Sequence, residues 1–257
     1  MSKRDARSSY RGMPKGKRDY RPSKKRTRVQ APPAVSQARI RQAVMAAKPL
    51  KGMDTSTDLA ITNVLSTTNT NGAIAVLNLV RSGNGSWNRL GNKIALKSAH
   101  IRMLVTMYMD DILSVNTPIT GCMRMVLVWD KQPSGAAIPT FDTIFGRTAQ
   151  DGTESSTYLA PLRYDNTGRF RIIRDWTVLA GDANITSTSD TNQWVHEFNE
   201  YVPLKGLETI YSGESEPQTI ADISTGALYL VFRSNINSTQ NKFSTSLSNV
   251  RLRFYDA

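Results

Sequence analysis

The chain has 257 residues, with 33 Lys+Arg against 21 Asp+Glu, a net charge of +12 and only 39% hydrophobic residues. One cysteine, Cys122, and two histidines, His100 and His196, exclude an intramolecular disulfide framework and an all-cysteine metal site within one chain. No apolar run approaches the ~20 residues that span a bilayer, and the amino terminus lacks a signal-peptide core, so a soluble intracellular product with no membrane partner is expected.

The charge is concentrated at one end. Residues 1–50 hold 15 of the 33 basic residues and two of the 21 acidic ones, a net of +13 that leaves residues 51–257 at −1. The chain therefore divides into a basic arm, 1–50, and a nearly neutral body, 51–257. Dense charge of one sign suits an arm that holds a polyanion. The candidate nucleic-acid-binding residues are Lys3, Arg4, Arg7, Arg11, Lys15, Lys17, Arg18, Arg21, Lys24, Lys25, Arg26, Arg28, Arg39 and Arg41. Within them, Lys24, Lys25, Arg26 and Arg28 also read as a nuclear-import signal, which makes host import machinery a second expected partner. Residues 1–30 are broken by Gly12, Pro14, Gly16 and Pro22 and have too little apolar surface to offset the entropy of ordering, so they are expected to be disordered when free. No constellation there reads base edges, so binding should tolerate any sequence.

Between Pro33 and Pro49, Ile40, Ala43, Val44 and Ala47 fall on one helical face, which predicts a short helix near 36–48 with Ser36 as N-cap. From residue 54 the texture changes to short β-type runs between polar turns. Strands are expected at Asp58–Val64, Ala73–Val80, Lys93–Met109, Gly121–Asp130, Phe170–Leu179, Gln193–Tyr201, Ala227–Arg233 and Asn249–Tyr255. Period-two alternation puts Ile101, Met103, Val105, Met107 and Met109 on one face, Met123, Met125, Leu127 and Trp129 on another, and Val250, Leu252 and Phe254 on a third. Only Phe141–Phe145 suggests a helix inside the body. Eight or so strands without alternating helices indicate an all-β sandwich, jelly roll or barrel.

Chemistry-bearing residues in the body have plainer readings. Cys122 opens an apolar strand and reads as a small buried hydrophobe. His100 and His196 read as structural or surface histidines. Asp110, Asp111, Asp182, Glu214 and Glu216 read as loop charge, with a divalent cation at a subunit contact as the rarer alternative. Trp87, Trp129, Trp176 and Trp194 read as core or interface anchors. For Arg102, Arg124, Arg171, Arg174, Arg251 and Arg253, phosphate contact and ion pairing stand level. No catalytic residue, metal or cofactor is expected.

Two stretches carry a resemblance. The first is Gly91-Asn92-Lys93-Ile94-Ala95-Leu96-Lys97-Ser98-Ala99-His100-Ile101, leading into a strand. The second is Met125-Val126-Leu127-Val128-Trp129 followed by Asp130-Lys131-Gln132-Pro133-Ser134-Gly135, Pro139-Thr140-Phe141 and Ile144-Phe145. With Arg169–Asp175 and the basic arm, the chain resembles coat proteins of small circular single-stranded DNA viruses, geminivirus-like in particular. It is also similar to coat proteins of the satellite tobacco necrosis virus type. It lacks the cysteine and histidine set of some plant geminivirus coat proteins. The resemblance implies one eight-stranded antiparallel jelly roll, preceded by the disordered arm and its short helix. It implies a homo-oligomeric icosahedral T=1 shell of 60 copies, found in the virion and, during assembly, in the host nucleus. The arm would point inward onto a single-stranded genome, DNA rather than RNA. Sixty such arms supply on the order of 800 positive charges, enough to neutralise part of a genome of a few thousand phosphates. The rival reading is a cellular nucleic-acid-binding β-barrel with a basic tail.

Overall fold

A computed structural model describes residues 48–55, 73–109, 119–133, 135, 137–148, 154–155, 157–183, 192–213, 218–236 and 242–256. The strands are β1 (Leu50–Thr55), β2 (Ala73–Val76), β3 (Lys93–Met109), β4 (Ile119–Asp130), β5 (Arg147–Thr148), β6 (Glu154–Ser155), β7 (Phe170–Ala183), β8 (Asn192–Tyr211), β9 (Ile223–Thr225), β10 (Ala227–Ser234) and β11 (Lys242–Asp256). One short helix, α1 (Phe141–Ile144), lies between β4 and β5. The expected strand at Asp58–Val64 and the expected helix near 36–48 lie outside the described residues, apart from Lys48, which is in a bend.

Two curled antiparallel sheets form the body, one in the order β1-β11-β3-β8-β9 and the other β2-β10-β4-β7; β5 and β6 pair separately. Alternation fixes which face each strand buries. In β3, Ile101, Met103, Val105 and Met107 are buried, and in β11 Val250, Leu252 and Phe254 match them, while Arg102, Arg251 and Arg253 point outward. The second sheet contributes Met123, Met125, Leu127 and Trp129 from β4 and Leu228, Leu230 and Phe232 from β10 to the same core.

The second sheet departs from simple alternation. Every residue of β10, and of β4 from Gly121 to Asp130, is buried. Its outer face is covered by the segment that contains α1. Phe141, Ile144, Phe145 and Ala160 are buried there against Arg124 and Arg233, whose guanidinium carbons lie 4.8 Å from the Phe145 ring and 4.7 Å from the Phe141 ring. Thr140 caps α1, accepting from the Thr143 N–H.

At one end the sheets are tied together by buried polar groups. The Asn78 side chain donates to Thr209 Oγ1 and the Gly226 carbonyl, both at 2.9 Å, and accepts from the Leu228 N–H. Tyr211 donates to the Asn78 carbonyl at 2.7 Å, and its burial holds the phenol well above its ordinary range. Gly226 is required at this join: its φ is +78°, and a Cβ would run into the Glu208 carbonyl and the Trp129 indole.

β4, β7, β8, β10 and β11 run past their expected ranges, β8 and β11 by the most, whereas β2 ends at Val76 instead of Val80. β8 runs on from Tyr201 to Tyr211 through Pro203, which a strand tolerates because β8 pairs only with β3 at that level, leaving its other edge open. Lys205 (φ +53°) and Gly206 (φ +77°) then form a bulge opposite Leu96 and Ser98. β11 starts at Lys242 and carries a bulge between Ser246 and Asn249, where Leu247 has φ +46° and is exposed.

Candidate nucleic-acid interface

The fourteen arm residues Lys3, Arg4, Arg7, Arg11, Lys15, Lys17, Arg18, Arg21, Lys24, Lys25, Arg26, Arg28, Arg39 and Arg41 lie outside the described residues. The described chain leads from Lys48 and Pro49 into β1, which lies at the edge of the first sheet, in antiparallel register with β11 from Leu50↔Tyr255 to Thr55↔Val250. Two ion pairs fasten it. Lys51 Nζ sits 2.7 Å from Asp256 Oδ2 and donates to the Asn88 carbonyl at 2.9 Å. Arg251 makes a forked pair with Asp54 at 2.8 and 2.7 Å, and that guanidinium holds the Asp54 carboxyl below its ordinary value.

The six strand arginines separate into three situations. Arg124 is buried and spent on the protein. It forms a forked pair with Asp175 (3.0 and 2.6 Å) and donates to the carbonyls of Tyr158 and Ala160. That settles its two level readings as ion pairing, within one chain. Arg102, Arg251 and Arg253 are exposed on the outer face of the first sheet, with Arg251 committed to Asp54. Beside them an open groove of about 560 Å³ is lined by His100, Arg102, Glu197, Leu247, Asn249 and Arg251. Arg171 and Arg174 are exposed on β7, at the other side of the sandwich.

Both histidines lie at the surface, His100 half-buried and His196 exposed. His100 Nε2 lies 2.8 Å from Asn199 Oδ1, and His196 stacks on Trp194 with ring centroids 5.5 Å apart. Cys122 is buried, which raises its thiol pKa. Trp129 is in the core and Trp176 packs edge-on against Phe198 at 5.3 Å, whereas Trp87 is exposed and is therefore not one of the core anchors. Among the described residues no group of three His, Cys, Asp or Glu side chains could hold a metal ion. Asp110, Asp111, Glu214 and Glu216 lie outside the described residues, as does the side chain of Asp182.

Sequence reasoning missed the strongest polar centre. Arg89 is completely buried and has no carboxylate partner among the described residues. It donates to the carbonyls of Val80 (3.2 Å), Gly91 (2.9 Å) and Gly213 (2.6 Å) and to Asn92 Oδ1 (3.1 Å), with the Tyr211 ring 4.4 Å away. An arginine in a glycine-rich turn carries no sequence mark of burial. Asp130 is a second buried charge, held by a forked pair from Arg169 at 2.9 and 2.8 Å.

Fold and charge define the class: a two-sheet β protein whose net positive charge belongs to one terminal segment. The family narrows it, since the geminivirus coat protein/nuclear export factor BR1 family matches residues 2–257 and the chain belongs to that family. It is a viral coat protein, and coat proteins are structural proteins. No curated protein matches the sequence. Among solved structures, a chain from the crystal structure of the T13 IBDV viral particle is similar over 80% of this chain at 8% identity and a TM-score of 0.21. This chain spans 31% of that one's length, and at such a score the likeness carries no argument.

Proposed function

We propose that this protein is a capsid subunit that assembles into a closed icosahedral shell and holds a single-stranded genome with its amino-terminal arm. The single observation that carries this is the segregation of charge, +13 on residues 1–50 against −1 on residues 51–257. A neutral body can approach copies of itself without mutual repulsion, and a polycationic arm neutralises phosphate wherever it is directed. The body reads as one jelly roll. The supporting feature is strand order, β1-β11-β3-β8 against β2-β10-β4-β7, which eight strands wound as two Greek keys would give, with β9 as a three-residue addition. Family membership favours this reading over the cellular binding module. It also favours DNA as the cargo; the 60-copy shell and entry into the host nucleus through Lys24, Lys25, Arg26 and Arg28 are part of this proposal.

The test is deletion of residues 2–30. Particles of the truncated chain should still form but contain much less nucleic acid, read as a fall in the ratio of absorbance at 260 to 280 nm. Truncated particles that package as much as the full chain would overturn the role given to the arm.

A further inference from the structure

One side of the sandwich is open. Near its middle the two sheets meet where Trp176 of β7 packs on Phe198 of β8, and a cleft lies between the same two strands. This cleft, about 380 Å³, is lined by Arg171–Arg174 of β7 and by Val202, Pro203, Leu204, Lys205 and Leu207 of β8. Its floor is apolar: Val202 and Leu204 are buried, and Ile172, Ile173 and Leu207 are half-buried. Its rim is cationic, since Arg171, Arg174 and Lys205 are all exposed and no acidic side chain lines it. None of the three makes an ion pair with any described residue.

Two backbone irregularities border the cleft. On β7, Ile173 is passed over in the pairing with β4, where Leu127 faces Arg174 and Val128 faces Ile172. This bulge sets Arg171 and Arg174 opposite Trp129 and Leu127, on the face turned toward the other sheet. On β8, the left-handed Lys205 and Gly206 bend the strand at the same level. A non-glycine residue in that conformation is uncommon and costs free energy. β7 is also the last strand of its sheet, so one row of its backbone N–H and C=O groups has no strand partner among the described residues.

We infer that this cleft is a contact between copies of the chain, filled by an acidic, partly apolar segment of a second copy. The inference rests on the capsid reading and adds the surface through which subunits meet. Charge complementarity selects the occupant. The body as a whole has 18 basic and 19 acidic residues, the 33 and 21 of the chain less the 15 and two in the arm. Three unpaired cations on one side must therefore be matched by carboxylates elsewhere on the same body, and tiling brings the two together. The contact joins two different surfaces, which is the head-to-tail geometry that closes rings and shells. The apolar floor adds burial to the charge match, as in the core of a protein interface.

The experiment compares the full-length chain with Arg171→Glu/Arg174→Glu/Lys205→Glu and with Arg171→Lys/Arg174→Lys, each followed by sedimentation and by absorbance at 260 and 280 nm. The charge-reversed chain should stay folded, with an unchanged circular dichroism spectrum, and lose tenfold or more of its particle yield. The lysine variant, which keeps the charge, should retain most of it. Zero-length carbodiimide coupling of particles mixed from ¹⁴N and ¹⁵N chains should join Lys205 to an Asp or Glu of another copy. Normal assembly of the charge-reversed chain overturns the contact, and so does coupling of Lys205 only within its own chain. Particles that form normally but lose nucleic acid assign the cleft to the genome instead and also overturn it. A wild-type chain that forms no particles overturns the capsid reading itself, a result distinguishable from the others.

Discussion

Single side chains here do work that their surroundings make costly to replace. Arg89 is the clearest case, because its guanidinium satisfies three carbonyls and one carboxamide that belong to different turns, Val80, Gly91 and Asn92 on one side and Gly213 on the other. Arg89→Met fills much of the same volume but leaves those acceptors facing apolar surface. Each buried unpaired group costs about 1–3 kcal/mol, so with four acceptors stranded, three of them only part-buried, the variant should lose roughly 4 kcal/mol or more in total, measured as a lower urea midpoint with an unchanged slope. Arg89→Lys keeps the charge but not the planar fork and should fall between the two. Little of this was legible beforehand. A residue's burial is a property of what folds over it, and the Trp87-Asn88-Arg89-Leu90-Gly91 turn is polar enough to read as exposed loop. The same applies to Arg124, whose neighbours Met123 and Met125 announced a strand but not the segment that seals its outer face.

The strands divide by how local their signal is. β3 occupies Lys93–Met109, the expected range, because its alternation is long and its inner side chains are uniformly apolar. β1 straddles the boundary between arm and body, where no strand is expected. Leu50-Lys51-Gly52-Met53-Asp54-Thr55 has no sustained pattern, and it becomes a strand only because β11, nearly 200 residues later, offers an edge. Its attachment therefore depends on the ion pairs at its two ends. For Asp54 the sign of the pH dependence follows from its lowered pKa. A carboxyl that ionises more easily in the folded chain contributes stability fully above its ordinary value, about 3.9, and loses it as the pH falls through the lower folded value. Asp54→Asn should therefore melt below wild type at pH 7, and the gap should close on acidification below pH ~4. A gap of constant size down to about pH 2 would mean that the Arg251 pair does not hold β1. Because both partners are largely exposed, the gap should also shrink in high salt.

At the scale of the whole molecule, the question is whether the two parts of the chain depend on each other. The buried core draws on both sheets between Ala75 and Phe254, and the polar join at Asn78, Thr209 and Gly226 and the Arg89 centre lie within the same range. Residues 1–47 lie outside the described residues. Meanwhile those residues carry nearly all the net charge, and like charges crowded at one end oppose compaction and do not aid it. The body should thus fold on its own. Removing residues 1–47 should leave the melting temperature of the unassembled chain within about 2 °C, because a chain of this size shifts by roughly 2–4 °C for each kcal/mol lost. The same deletion should abolish retention on a heparin column, since the remaining body is close to neutral. A drop of 10 °C or more would mean that the arm packs on the body as part of one folded unit, and the separation between a charged arm and a tiling body would then be a feature of composition alone.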